Sequence, residues 1–270
     1  MWTQINLALR TRLPRVHRLL KETALSWRSS SNPRLPAPKW VGGQLVWVHP
    51  RLLTENTAIT QPFLVDWLAR FLRPGDVFFD VGAHYGWISL KAAHCVGPTG
   101  TVVAFEPSPA IAKILGYHVR VNRLHRVLVV PMAISDGDGH AVPFYLVNNG
   151  MSFRNSLVIS GDVPFLSPAD KTEIAVQATT LDTFSKNSHL APKVVKIDIE
   201  GAEFLALKGS IQLLEKHHPV IIVEIHPYWL PQGQTQEQIL EFLRGYGYTV
   251  VDSQIVGGDG FEVGNYLLVP

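Results

Sequence analysis

An intramolecular disulfide is excluded at once, because the 270-residue chain contains a single cysteine, Cys95. The fold must be held by its core alone, and a chain of this length with 46% hydrophobic residues can bury one large core unaided. Long apolar runs are also missing. No stretch approaches the roughly 18 to 20 uninterrupted apolar residues of a membrane span, so no transmembrane helix is expected and a cytoplasmic protein is the reading. Positive charge is scarce over most of the chain. Residues 1–40 hold eight Lys/Arg against one acid, Glu22, a net of +7, so the other 230 residues carry −5 within the overall +2. A mildly acidic body lacks the basic face that nucleic-acid binding needs, and nucleic acid is not an expected partner. The first 31 residues are Arg-rich and nearly acid-free, which matches an organelle transit peptide superficially; the plainer reading is a basic helix packed on the domain or tethered to it.

What is present is organised in blocks. Residues 29–39 hold three prolines and four small polar residues, which disfavours regular structure and predicts a linker, giving an extension over 1–40 and one domain over 41–270. A short strand is expected at 44–49 and a helix at 61–72, where Phe63, Leu64, Trp67, Leu68, Phe71 and Leu72 follow helical spacing. From Asp76 onward, short apolar runs alternate with helical periodicity: strand 76–81, helix 86–95, strand 101–105, helix 109–121, strand 126–131. This βαβαβ order implies parallel strands with right-handed crossovers, hence a doubly wound sheet. After an irregular stretch with a candidate hairpin (143–147 with 173–178), the pattern resumes with helix 181–187, strand 193–199, helix 203–216, strand 219–225 and helix 235–246. Strands 248–252 and 264–269 close the chain with no helix between them, so they should pair antiparallel. The fold class expected is α/β, a seven-stranded, mostly parallel sheet with one antiparallel strand near the C-terminus, as in class I Rossmann-like methyltransferases.

The first strand-to-helix turn runs Asp80-Val-Gly82-Ala-His84-Tyr85-Gly86. Gly82 and Gly86 allow a tight turn and close ligand approach at a helix N-terminus. The full Gly-x-Gly-x-x-Gly signature is absent, which favours the zwitterionic tail and sugar of S-adenosylmethionine over a dinucleotide pyrophosphate. Asp80 is placed to fix the turn or the cofactor's amino group, and His84 and Tyr85 fall among the expected cofactor contacts. The second strand ends in Glu106-Pro107-Ser108, and an acid there suits both ribose hydroxyls. The third leads into Ala133-Ile134-Ser135-Asp136, where an adenine would rest; Asp136 is read equally as an acceptor for the exocyclic amine or a turn residue.

The strongest signal is Val194-Val-Lys196-Ile-Asp198-Ile-Glu200-Gly201-Ala-Glu203. A central strand covered on both faces should be almost continuously apolar, yet Lys196, Asp198 and Glu200 share one face. Buried charges are costly unless paired or used, so they argue for a site. The next strand repeats the anomaly with Glu224 and His226, expected beside the first group at the carboxyl edge. The five are the candidate catalytic residues, His226 as a general base oriented by a carboxylate. Asp198 and Glu224 are also hard oxygen donors, but no spacing specifies a metal and none is expected.

These strings together resemble the FkbM family of methyltransferases over about residues 44–270: Leu72 to Gly86, Ala104-Phe-Glu-Pro-Ser-Pro109, Ala133 to Asp136, Thr180-Leu-Asp182, Lys196 to Glu203, Leu207-Lys-Gly209 and Val223 to His226. The resemblance implies a class I fold, S-adenosylmethionine as methyl donor, and O-methylation of a sugar, glycan or natural-product hydroxyl. The expected partner is therefore a small-molecule or glycan acceptor, and homo-oligomerisation stays open. His84-Tyr85 departs from the Asn that the family tends to carry, and Thr60-Gln61-Pro62 stands where it tends to have Tyr-Glu-Pro, so Gln61 is given no catalytic role. A nicotinamide oxidoreductase or a non-catalytic nucleotide-binding module on the same fold are the rival readings.

Overall fold

A computed structural model describes residues 36–41, 43–52, 61–147, 152, 155–158, 171–257 and 262–270. The basic segment 1–31, the first part of the expected linker and much of 148–170 lie outside the described residues.

The chain divides into two compact units, Met1–Ala58 and Ile59–Pro270. In the first, β1 (Ala37–Val41) pairs antiparallel with β2 (Gln44–Val48), followed by a 3-10 turn at Pro50–Leu52. The linker reading is corrected here, since β1 takes up its last residues. Pro38, opposite Trp47, is tolerated because each strand of a two-stranded sheet has an edge where no N–H is needed.

The second unit is built on a seven-stranded sheet. Its strands are β3 (Val77–Val81), β4 (Thr101–Phe105), β5 (Val127–Val130), β9 (Val194–Ile197), β10 (Val220–Ile225), β11 (Thr249–Val256) and β12 (Val263–Val269), in the order β11-β12-β10-β9-β3-β4-β5. β12 alone runs against its neighbours, paired antiparallel with both β10 and β11, as the two consecutive terminal strands required. The helices are α1 (Pro62–Phe71), α2 (Trp87–Val96), α3 (Pro109–Val121), α4 (Leu181–Ser188), α5 (Glu203–Lys208), α6 (Ile211–His217) and α7 (Gln236–Gly245). A small second sheet, β6 (Ala133–Ile134), β8 (Lys171–Thr179) and β7 (Ala141–Val147), contains the expected hairpin as the antiparallel β7·β8 pair.

Both sheet faces are packed. Phe79, Val103, Val195, Ile221 and Val223 meet α5 to α7 on one side, while Phe78, Val102, Val194 and Ile222 meet Leu64, Trp67 and Leu68 of α1 and Ala92 of α2 on the other. Each such side chain contributes about 1.5–3 kcal/mol by leaving water. Asp80, Lys196 and Glu224 stand two residues beyond Phe78, Val194 and Ile222, so alternation carries them to the face covered by α1 and α2. Trp67 Nε1 donates to Asp252 Oδ2 at 2.9 Å, tying α1 to β11 where a register shift interrupts the β11·β12 ladder.

Two expected elements are shorter than read. The strand at 193–199 ends at Ile197: the Asp198 amide still donates to the Val81 carbonyl at 3.1 Å, but Glu200 and Gly201 take left-handed φ values of 54° and 98° and turn the chain away. Gly201 has no alternative, because a Cβ there would stand 2.3 Å from the Trp229 carbonyl oxygen. The helix at 203–216 breaks into α5 and α6 because Asp182 of α4 takes over the junction. Its amide donates to the Gly209 carbonyl, and its carboxylate accepts from the Gln212 and Leu213 amides at 2.9 and 2.8 Å.

Candidate active site

The β3–α2 turn brings the predicted residues together through its backbone. Asp80 is fully buried; its Oδ2 accepts from the Ser89 hydroxyl of α2 at 2.5 Å, and its Oδ1 lies 3.4 Å from Lys196 Nζ. Gly82, at φ 79°, passes so close to the next strand that a Cβ would sit 1.9 Å from the Asp198 carbonyl oxygen, and its own carbonyl accepts from Lys196 Nζ at 3.1 Å. The His84 amide then donates to Glu106 Oε2 at 2.8 Å, and the Ser108 amide donates to Glu106 Oε1 at 2.9 Å. Glu106 is therefore buried, held by two backbone N–H groups, and keeps further lone pairs on both oxygens. Burial pushes its carboxyl up to about 7, with the two amides opposing. Tyr85 is packed inward with its carbonyl bonded to His118 Nδ1 at 2.7 Å, and Gly86, at φ 87°, opens α2.

The second half of the site sits at the ends of β9 and β10. Lys196 Nζ is 3.0 Å from Asp198 Oδ2, in addition to its contacts with Asp80 and Gly82. Burial alone would strip its proton, but the Asp198 and Asp80 carboxylates more than offset that, and it stays a cation. Glu224 Oε2 accepts from the Gln61 side-chain amide, at the N-terminus of α1, at 3.0 Å. His226 Nδ1 is 3.2 Å from Glu203 Oε1, while its Nε2 faces Glu224 Oε1 at 3.4 Å, Glu200 Oε2 at 3.6 Å and Asp198 Oδ1 at 3.9 Å. Asp80, Asp198, Glu200, Glu203 and Glu224 thus gather around one lysine and one histidine.

The electrostatics follow from that crowding. Burial pushes the Asp198 carboxyl up, but Lys196 and the His226 ring together pull it below the usual carboxylate range, so it is ionised. Glu200 has no lysine; burial lifts it to about 8, with Asp198, Glu203 and Glu224 adding to the rise against the His226 charge. Burial would lower His226, yet Glu200, Glu203 and Glu224 raise it well above its ordinary value. The Asp198 side chain is 28% exposed against 6% for the His226 ring. His84 goes the other way, pulled down to about 4 by burial, and is neutral.

Other predicted residues stand further along the rim. Ala133 is buried in β6, Pro107 follows Glu106, and the Ser135 hydroxyl donates to Asp136 Oδ1 at 3.3 Å. Asp136 Oδ2 pairs with Lys208 Nζ at 3.2 Å on the surface. The sequence reading missed Glu203 as a partner of His226, although it stands in the acidic string, and set aside Gln61, which reaches Glu224. It also missed Ser156, whose hydroxyl donates to the Glu200 carbonyl at 2.7 Å and pins the segment after β7 beside the acidic turn.

A family profile described as Methyltransferase FkbM domain matches residues 80–250. The 31-O-demethyl-FK506 methyltransferase FkbM of Streptomyces tacrolimicus is 32% identical over 207 residues, which cover 68% of this chain and 76% of that protein. Among solved structures, Trm5b from Pyrococcus abyssi aligns with a TM-score of 0.50 at 11% identity, over 88% of this chain and 56% of that one. Methyltransferase FkbM from Methylobacillus flagellatus KT gives 0.48 at 15% identity, over 80% of this chain and 56% of that one. The chain thus spans about half the length of these two structures, and the likeness to Trm5b, at 11% identity, speaks for the fold alone.

Proposed function

The chain belongs to the FkbM methyltransferase family, and from that membership we propose that it O-methylates a hydroxyl of a sugar, glycan or small natural product. Its methyl donor is S-adenosylmethionine, and the family assignment decides against the nicotinamide oxidoreductase. The single observation that carries the acceptor reading is the ionised, partly open Asp198 beside Glu224 and His226, linked by Lys196 and Gly82 to the turn that holds Glu106.

The residues fit the donor. Glu106 faces no cation among its hydrogen-bond partners, only two backbone amides, and its remaining lone pairs suit the two donors of a ribose diol. Gly82 and His84 would line the amino-acid tail, and Ser135 and Asp136 the base. When bound, the donor supplies an electrophilic methyl group on a sulfonium. The protein's part is to hold the acceptor oxygen in line with that methyl, and positioning of this kind supplies much of the rate. The donor would supply the methyl group and leave as the neutral thioether, and Asp198, more open than the His226 ring, would take the acceptor's hydroxyl proton. Lys196 fixes the orientation of that carboxylate through Oδ2. Glu203 and Gln61 act as positioning residues, through His226 and Glu224.

Asp198→Ala should leave S-adenosylhomocysteine affinity within a few fold and lower transfer by at least about a hundredfold, the scale of a lost general base. Turnover of labelled donor by the variant at the wild-type rate would remove Asp198 from the reaction.

A further inference from the structure

We propose that Asp198, Glu224 and His226 form a binding site for a divalent first-row cation of the Mn2+ class. Their ligand atoms all lie within 4.8 Å of one another. Two ligands of one such ion stand about 3 Å apart when adjacent and about 4.4 Å apart when opposite, given bonds of about 2.0–2.2 Å. The separations of Glu224 Oε1 and Asp198 Oδ1 from His226 Nε2, 3.4 and 3.9 Å, fall inside that window and are too long for strong hydrogen bonds.

The way each ligand is anchored points to the same place. Asp198 gives Oδ2 to Lys196 and Glu224 gives Oε2 to the Gln61 amide, so each carboxylate has one oxygen fixed by the protein and the other turned toward the shared point. His226 repeats the pattern, with Nδ1 on the buried Glu203 carboxylate and Nε2 turned inward. A carboxylate behind the far nitrogen of an imidazole is the outer-shell arrangement that orients metal-ligating histidines. Oxygen donors with one imidazole suit Mn2+ and its neighbours.

A second observation comes from the other side of the site. The His84 ring lies within electrostatic reach of Asp198, and among the described residues its buried Nε2 has no hydrogen-bond partner. Its other nitrogen is tied to the Ser152 backbone by a bond that favours the ring's proton, which leaves Nε2 as a bare lone pair. A buried lone pair beside an acidic cluster is costly unless a ligand meets it. Five carboxyl groups gather here around one lysine and one histidine, a setting that a divalent ion suits. Its binding stands on geometry alone. Its use, to draw in and acidify the acceptor hydroxyl, rests on the methyl-transfer reading.

Titration of chelator-stripped protein with Mn2+, followed by electron paramagnetic resonance, tests the site, with S-adenosylhomocysteine binding measured on the same samples. The expected result is about one ion per chain, with affinity weakened roughly ten- to hundredfold by Glu203→Gln and lost in Glu224→Gln, each variant still binding S-adenosylhomocysteine. Wild-type protein that binds S-adenosylhomocysteine but holds no Mn2+, or a Glu224→Gln variant that holds it equally well, overturns the cation site. Mn2+ held in the expected way by a protein that does not bind S-adenosylhomocysteine overturns the methyl-transfer reading and leaves the cation site standing.

Discussion

A carboxylate in a dry site is defined by what faces it, and Glu106 and Glu200 show two outcomes. Glu106 is lifted to about 7 by burial, and a ribose hydroxyl donates more strongly to the ionised form. Cofactor affinity should therefore rise as pH passes upward through about 7, and calorimetry with S-adenosylhomocysteine between pH 6 and 8 reads this directly. Glu106→Ala should weaken binding by at least about tenfold and flatten the profile, as expected for a charge-assisted bond of about 1.5–3 kcal/mol. Glu200 is raised to about 8, so the folded protein favours its neutral form. The stability this contributes is full below the unfolded value of about 4.5 and is lost as pH climbs through about 8. Glu200→Gln carries no such dependence. In chelator-treated samples its melting temperature relative to wild type should shift upward from pH 5 to pH 8, and a constant difference would contradict the shift.

At the scale of the element, the family strings divide into those that build the site and those that build the scaffold. Gly82→Ala forces a Cβ onto the Asp198 carbonyl and leaves alanine at φ 79°. Strain of about 1–3 kcal/mol plus the clash should lower both denaturation midpoint and cofactor affinity. Asp182→Ala should instead cost about 1–2 kcal/mol through the uncapped start of α6 and leave the rate per folded molecule unchanged. The mostly parallel seven-stranded sheet and its one antiparallel strand were legible because apolar runs alternate with helices up to the missing final crossover; the strand order was not read from the sequence. The positions of Lys196, Asp198, Glu224 and His226 were legible for the same reason, since charge in a doubly covered strand is anomalous. Alternation carried the strand too far, to Glu200, whose carboxylate nonetheless reaches His226; the left-handed turn at Glu200 and Gly201 packs tightly against Trp229, nearly thirty residues away, a contact that alternation does not carry. The contacts of Asp182, Glu203 and Gln61 were not legible because they join distant elements, which periodicity does not carry. Asp138 is similar: its carboxylate collects the Thr180 amide and the Thr179, Thr180 and Thr183 hydroxyls at the start of α4.

For the whole molecule, charge is segregated, with +7 over residues 1–40 and −5 over the rest. Among the described residues no helix is long and apolar enough to cross a membrane. An acidic body repels polyanions, which supports a small or glycan acceptor over RNA. Label from the methyl donor, supplied to an extract with the full chain, should enter the small-molecule or glycan fraction, and label recovered in RNA would reverse that assignment. The central claim is that the polar ends of β9 and β10 and the β3–α2 turn form one site. A crystal structure with S-adenosylhomocysteine tests it most directly. Both ribose hydroxyls are expected on Glu106, with the sulfur facing Asp198, Glu224 and His226. A ligand seated elsewhere, or one whose sulfur points away from that cluster, would contradict it.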